Sequence, residues 1–143
     1  MLRLTRRYPF CASHRLHVDS LSDQENRELF GKCNNPYGHG HNYVLEVSLT
    51  GEAAPDTGMV FDRAKLDELV RKSVLPRIDH KDMNADVAEF GDLNPTTENL
   101  ALVIGQWLCR AWREAYPDSP ARLSRVRLEE TGKNSFELDM EAL

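Results

Sequence analysis

The chain contains no apolar run approaching the ~20 residues that cross a bilayer. Its first residues, MLRLTRRYPF, lack the uninterrupted hydrophobic segment of a secretory signal. Cysteine is scarce: Cys11, Cys33 and Cys109 are the only three, and they cannot all pair within one chain. These absences predict a reducing, cytoplasmic setting, where a cysteine serves either packing or chemistry. A basic excess is missing as well. Eighteen Lys and Arg stand against 23 Asp and Glu, a formal charge of −5, which argues against a nucleic-acid groove. Nothing resembles the glycine fingerprint of a nicotinamide-binding turn. No repeat, low-complexity tract or linker interrupts the 143 residues, so residues 1–143 read as a single domain. With 41% hydrophobic and 29% charged residues, the composition is that of an ordinary chain with one core.

The patterning is mixed. Residues 2–16 alternate, placing Leu2, Leu4, Tyr8, Phe10, Ala12 and His14 on one face of a strand. Pro9 cannot donate to a ladder and marks an edge or a bulge. Ser22-Asp-Gln-Glu25 has capping-box spacing and predicts a short helix. Residues 41–50 form a second strand with His41, Tyr43, Leu45, Val47 and Leu49 together, and the stretch from Gly51 to Gly58 reads as a turn. From Asp62 the period becomes helical, with Leu66, Leu69, Val70 and Val74 on one stripe. A second helix starts near Thr96 or Thr97 and runs into Ala115. Strands over 123–130 and 135–140 close the chain. The order ββααββ predicts an α+β fold, a four-stranded antiparallel sheet with two helices on one face.

Chemistry concentrates in CNNPYGHGHNY, residues 33–43. Histidines at i and i+2 of an extended segment point the same way, as a chelate requires. His14 ends the apolar face of the first strand, so an antiparallel partner would set it beside His39 and His41. Three imidazoles with one open position is the pattern of catalytic zinc. Two rival metal readings accompany it. His39-x-His41 followed by Glu46 has cupin spacing, but alternation puts Glu46 on the opposite face and the helices leave too little chain for eight strands. Cys33 as a fourth ligand would instead make a closed structural site. Near the carboxyl end, Val126, Leu128 and Glu130 share a face, whereas Arg125, Arg127 and Glu129 form the other, which reads as a charged exterior. Glu130 is thus the carboxylate on the apolar side, where a charge without a partner is expensive.

Phe10-Cys-Ala-Ser-His14, LSDQENRELFGK, the CNNPYGHGHNY segment, GMVFD, Asp79-His80, Pro95-Thr-Thr-Glu-Asn99 and Glu130-Thr131 occur in the order found in the 6-pyruvoyl-tetrahydropterin synthase family. The resemblance spans nearly the whole chain. It implies a tunnelling fold, in which three subunits close a barrel of strands and two trimers stack into a homohexamer. It further implies that His14, His39 and His41 hold Zn2+, that Cys33, Asp79 and His80 carry proton transfers, and that Glu130 anchors a pterin with help from Thr96 and Thr97. The implied reaction is a lyase step on 7,8-dihydroneopterin triphosphate that eliminates triphosphate. The superfamily also includes 6-carboxy-tetrahydropterin synthase of queuosine biosynthesis. There the cysteine typically lies closer to the His-Gly-His, whereas five residues separate Cys33 from His39 here. A pterin- or metal-binding module without turnover is the non-enzymatic alternative.

Physical chemistry bears on each role. A neighbouring dication lowers a thiol pKa from ~8.5, which suits Cys33 as a base. His80 can move protons near neutrality, and a carboxylate within reach would fix its tautomer. A pterin presents two parallel N–H donors that one carboxylate can accept. Thr96 and Thr97 also fit simple helix capping. Cys11 and Cys109 read as small buried hydrophobes. For the triphosphate the sequence offers Arg15, Lys32, Lys81 and Lys133.

Overall fold

The computed structural model describes residues 1–142. The alternating segments become β1 (Leu2–His14) and β2 (His39–Gly51), a long antiparallel pair with Leu2 opposite Gly51 and His14 opposite His39. The second strand starts two residues earlier than alternation alone predicts, which places His39 in the ladder itself. The two arms of the capping box are both made: Glu25 N–H donates to Ser22 Oγ at 3.1 Å, and Ser22 N–H to Glu25 Oε1 at 3.0 Å. They start α1 (Asp23–Phe30). Asp62 caps α2 (Arg63–Ser73) through Ala64 N–H at 2.9 Å.

The sheet differs from expectation in strand number and polarity. After α2 come α3 (Leu75–Ile78), the two-residue strand β3 (Lys81–Asp82) and α4 (Met83–Asp86). β3 runs parallel to β1, with Lys81 opposite Ala12 and Asp82 opposite Ser13. The chain then continues as α5 (Thr97–Ala115), β4 (Arg122–Thr131) and β5 (Asn134–Asp139). The result is an α+β fold with an open five-stranded sheet in the order β3-β1-β2-β4-β5, not a four-stranded antiparallel one. Pro9 sits opposite Val44 without a register shift, and β3 reaches only Ala12 and Ser13. Pro9 therefore lies where β1 is still an edge, and its missing N–H removes no ladder bond.

The core forms between one sheet face and α2 and α5. Phe10, Tyr43, Leu45, Val47, Val126 and Leu128 come from the sheet, and Leu66, Leu100, Ile104 and Leu108 from the helices. The other sheet face is less exposed than a charged exterior should be. Glu46 there is only 7% exposed and accepts hydrogen bonds from Arg7 at 2.6 Å, Arg127 at 2.9 Å and Arg125 at 3.0 Å. Three guanidiniums converge because residues 7, 46 and 127 share one row of the sheet. The Glu46 carboxylate is therefore spent on arginines, on the face opposite His41, which removes the cupin reading. Among the described residues, no helix is long and apolar enough to cross a membrane.

A second ionic contact ties β1 to α2. Arg6 donates to both Asp67 carboxylate oxygens, at 3.1 and 2.8 Å, and Tyr8 OH donates to Asp67 Oδ1 at 2.7 Å. The Arg6 bond, then the Tyr8 bond, hold the Asp67 carboxyl at about 2, against ~3.9 in an unfolded chain. A depressed carboxyl stabilises the fold above its unfolded pKa, and that contribution disappears as pH falls through the folded value. Asp67→Asn is expected to lower the midpoint of thermal unfolding at pH 7. The gap from wild type should close between about pH 4 and pH 2. A gap independent of pH would show that the carboxylate charge is irrelevant there.

Candidate metal centre and active site

Four donor side chains converge where β1, β2 and β4 meet the loop after α1. His14, Cys33, His41 and Glu130 each offer an atom, and these atoms lie within 4.8 Å of one another. His41 Nε2 is the common neighbour: 3.1 Å from His14 Nε2, 3.2 Å from Glu130 Oε1 and 3.7 Å from Cys33 Sγ. Two imidazole nitrogens facing each other at that distance, beside a thiol and a carboxylate, could hold a metal ion, and this nitrogen, sulfur and oxygen set suits zinc. His14 is buried, and its Nδ1 meets the Pro95 carbonyl at 2.7 Å. That contact places the proton on Nδ1 and leaves the Nε2 lone pair facing the cluster. Burial lowers the pKa of His14 and of His41, so both rings are held neutral as ligands require.

His39 stands slightly apart. It lies opposite His14 in the ladder and packs its ring edge-on against His41 with centroids 4.7 Å apart. It does not belong to the four-residue group within 4.8 Å. The approach of β2 to β1 here depends on Gly38. Its φ is +81°, and a Cβ would lie 2.9 Å from the His14 carbonyl oxygen, so only glycine fits without shifting the ligand strand.

Cys33 sits in a tight turn, Gly31–Asn34. Its carbonyl accepts from Leu16 N–H at 2.7 Å, and Asn34 donates to the Leu16 carbonyl at 2.7 Å. Burial, and then the negative charge of Glu130, push the Cys33 thiol up. The other cysteines differ from their expected burial. All three are free thiols, and Cys11 is exposed because it lies in the outward phase of β1, where it donates to Asn42 Oδ1 at 2.9 Å. Cys109 is half-buried.

The PTTEN segment divides its work between neighbours. Pro95 orients His14 through its carbonyl. Thr96 caps α5 by accepting from Asn99 N–H at 3.2 Å, the capping its position also fits. Thr97 is buried and donates to Glu130 Oε2 at 2.6 Å. The β4–β5 ladder slips between Glu129 and Thr131, leaving Glu130 without a partner on β5. Such an irregularity re-aims a side chain, and here Glu130 contacts both Thr97 and His41.

Asp79 and His80 do meet. His80 Nδ1 lies 3.0 Å from Asp79 Oδ1, although neighbours on an extended chain diverge. His80 adopts φ +60°, a left-handed conformation rare outside glycine, and this turns its ring back. Both residues are tied to β1: Cys11 N–H donates to Asp79 Oδ1 at 3.0 Å, and His80 N–H to the Cys11 carbonyl at 2.6 Å. The His80 side chain is 80% exposed. Among the described residues, no hydrogen bond connects this pair to Cys33. Sequence reasoning missed two participants. The Pro95 carbonyl carries no side-chain signal. Tyr43 lies on the His41 face but reads as ordinary core.

Known proteins share this arrangement of chain. The family model for 6-pyruvoyl tetrahydropterin synthase matches residues 3–141. The 6-pyruvoyl tetrahydrobiopterin synthase of Poecilia reticulata is 44% identical over 131 residues, 92% of this chain and 85% of its own. That of Homo sapiens is 49% identical over 102 residues, 71% of this chain and 70% of its own. The structure of 6-pyruvoyl tetrahydropterin synthase from Caenorhabditis elegans superposes with a TM-score of 0.85 at 43% identity, covering 96% of this chain and 94% of the other. The family model spans every residue of the donor cluster and the helices α1 to α5, and the chain belongs to the 6-pyruvoyl tetrahydropterin synthase family of enzymes.

Proposed function

We propose that residues 1–143 form one domain acting as a zinc-dependent lyase. It converts 7,8-dihydroneopterin triphosphate to 6-pyruvoyl-tetrahydropterin by eliminating triphosphate. The observation that carries this reading is the convergence of His14, Cys33, His41 and Glu130 within 4.8 Å. His14, His39 and His41 are the zinc ligands in this reading. His39 is supported by its ladder position opposite His14 and its contact with the His41 ring. A bound zinc ion supplies a Lewis acid for the oxygens of the substrate side chain.

The chain's own groups do the rest. Glu130 takes the two N–H donors of the amino-pyrimidinone edge, and Thr97 supports its second oxygen. Cys33 accepts a proton from the substrate side chain. Asp79 orients His80 through Nδ1, leaving Nε2 free to pass a proton. The conversion is redox-neutral overall: the dihydropterin ring is reduced as the side chain is oxidised, and no external reductant enters.

We place Asp79 and His80 at a neighbour's site within a homohexamer, a dimer of trimers. The 80% exposure of His80 and the open outer edge of β5 support this assembly. An active monomer in sedimentation would overturn it. The three free thiols support a reducing, cytoplasmic compartment. Incubation of the zinc-loaded protein with 7,8-dihydroneopterin triphosphate tests the reaction. Mass spectrometry should find 6-pyruvoyl-tetrahydropterin and free triphosphate. Carboxy-tetrahydropterin with acetaldehyde would assign the other branch, and no triphosphate release would mean a binding module.

A further inference from the structure

Tyr43 is 1% exposed, and its hydroxyl is the one buried side-chain polar atom without a hydrogen-bond partner among the described residues. The ring is fixed. Phe10 stacks on it at 4.9 Å and 13°, and His41 meets it edge-on at 5.6 Å. Its ring adjoins that of His41, whose Nε2 lies 3.2 Å from Oε1 of Glu130, the carboxylate that Thr97 contacts. The next inward positions of β2 are Leu45, Val47 and Leu49. A phenylalanine would satisfy the packing, so the hydroxyl is a departure from an otherwise apolar row. Such local violations concentrate where a protein gives up stability for function.

Thr97 supplies the connection. A threonine hydroxyl has one proton to donate and lone pairs that accept. Thr97 gives its proton to Glu130 Oε2 at 2.6 Å. We infer that Tyr43 is a positioning residue for Glu130, its hydroxyl donating to Thr97 Oγ1 when a pterin occupies the site. The chain Tyr43–Thr97–Glu130 then fixes the direction of the Thr97 proton and, through it, the carboxylate that receives the ligand's two N–H groups. Hydrogen bonds in such a chain strengthen one another in a buried setting. The inference rests on Glu130 being the pterin anchor.

The test uses the full-length zinc-loaded protein and 7,8-dihydroneopterin, which lacks the leaving triphosphate, in equilibrium dialysis. Tyr43→Phe should weaken binding about tenfold, the size of one neutral hydrogen bond. Its zinc content should match wild type, and its ligand-free melting temperature should equal or exceed wild type. Thr97→Val should weaken binding comparably, and Thr97→Ser should restore it. The Tyr43→Phe/Thr97→Val double variant should bind no worse than the weaker single variant, because both remove one chain. Tyr43→Phe binding within twofold of wild type, or additive losses in the double variant, would overturn the inference alone. Failure of the wild-type protein to bind the pterin would overturn the functional reading and the inference with it.

Discussion

In a His41→Ala protein, bound metal is expected to fall to trace levels and triphosphate release to drop by roughly 10³-fold or more, beyond the ~10–100-fold that loss of an outer partner costs a metal site. His41 Nε2 contacts His14 Nε2, Glu130 Oε1 and Cys33 Sγ, so no other side chain of the cluster can substitute for it. Truncation leaves a carboxylate and a second imidazole facing an emptied position. The ring lies at the rim of the core, with Tyr43 and Phe10 beneath it, so the sheet itself should survive. Elemental analysis after dialysis, with melting of the metal-free proteins as a control for folding, reads this directly. A His41→Ala protein that keeps one equivalent of metal would remove the proposed centre. The companion His39→Ala protein separates two donor sets. Loss of metal there supports the three histidines, whereas retention in His39→Ala with loss in Glu130→Ala moves the ion to the four-residue group.

Much of this arrangement was legible because long regular elements announce themselves. Thirteen residues of β1 and of β2 carry enough alternation to place His14 and His41 inward. Ser22, Asp62 and Thr96 each accept the N–H that capping predicts. What escaped is short or contributed by backbone. A two-residue parallel strand such as β3 has no periodicity to detect, and it changes the sheet from four antiparallel strands to five mixed ones. The contact between Asp79 and His80 depends on one left-handed residue, which no side-chain pattern encodes. Arg125 and Arg127 read as exterior because alternation tells which face a residue takes, not how deeply the far face is covered. Glu46 draws them inward. Thr96 and Thr97 have the same residue type, and only the start of α5 decides that one caps and the other reaches Glu130.

Cys33→Ala is expected to keep its metal and lose turnover by about 10²–10⁴-fold, the range for removing a general base. The turn that carries Cys33 is held by its own carbonyl and by Asn34, not by the thiol, so the substitution removes a reactive group without releasing the loop. The thiol stands 3.7 Å from His41 Nε2, farther than His14 or Glu130. Burial and the charge of Glu130 raise its pKa. A thiol left in that setting is a poor base at neutral pH, and a nearby cation is the element that reverses the penalty. A base in this position is therefore coupled to the metal without being required to hold it. Cys33→Ser sharpens the distinction, since it preserves shape and substitutes a far weaker acid. Both variants should bind metal like wild type and fail in turnover together. Metal lost in parallel with activity from both would make Cys33 a ligand of a closed four-coordinate site, and such a site leaves no position for substrate.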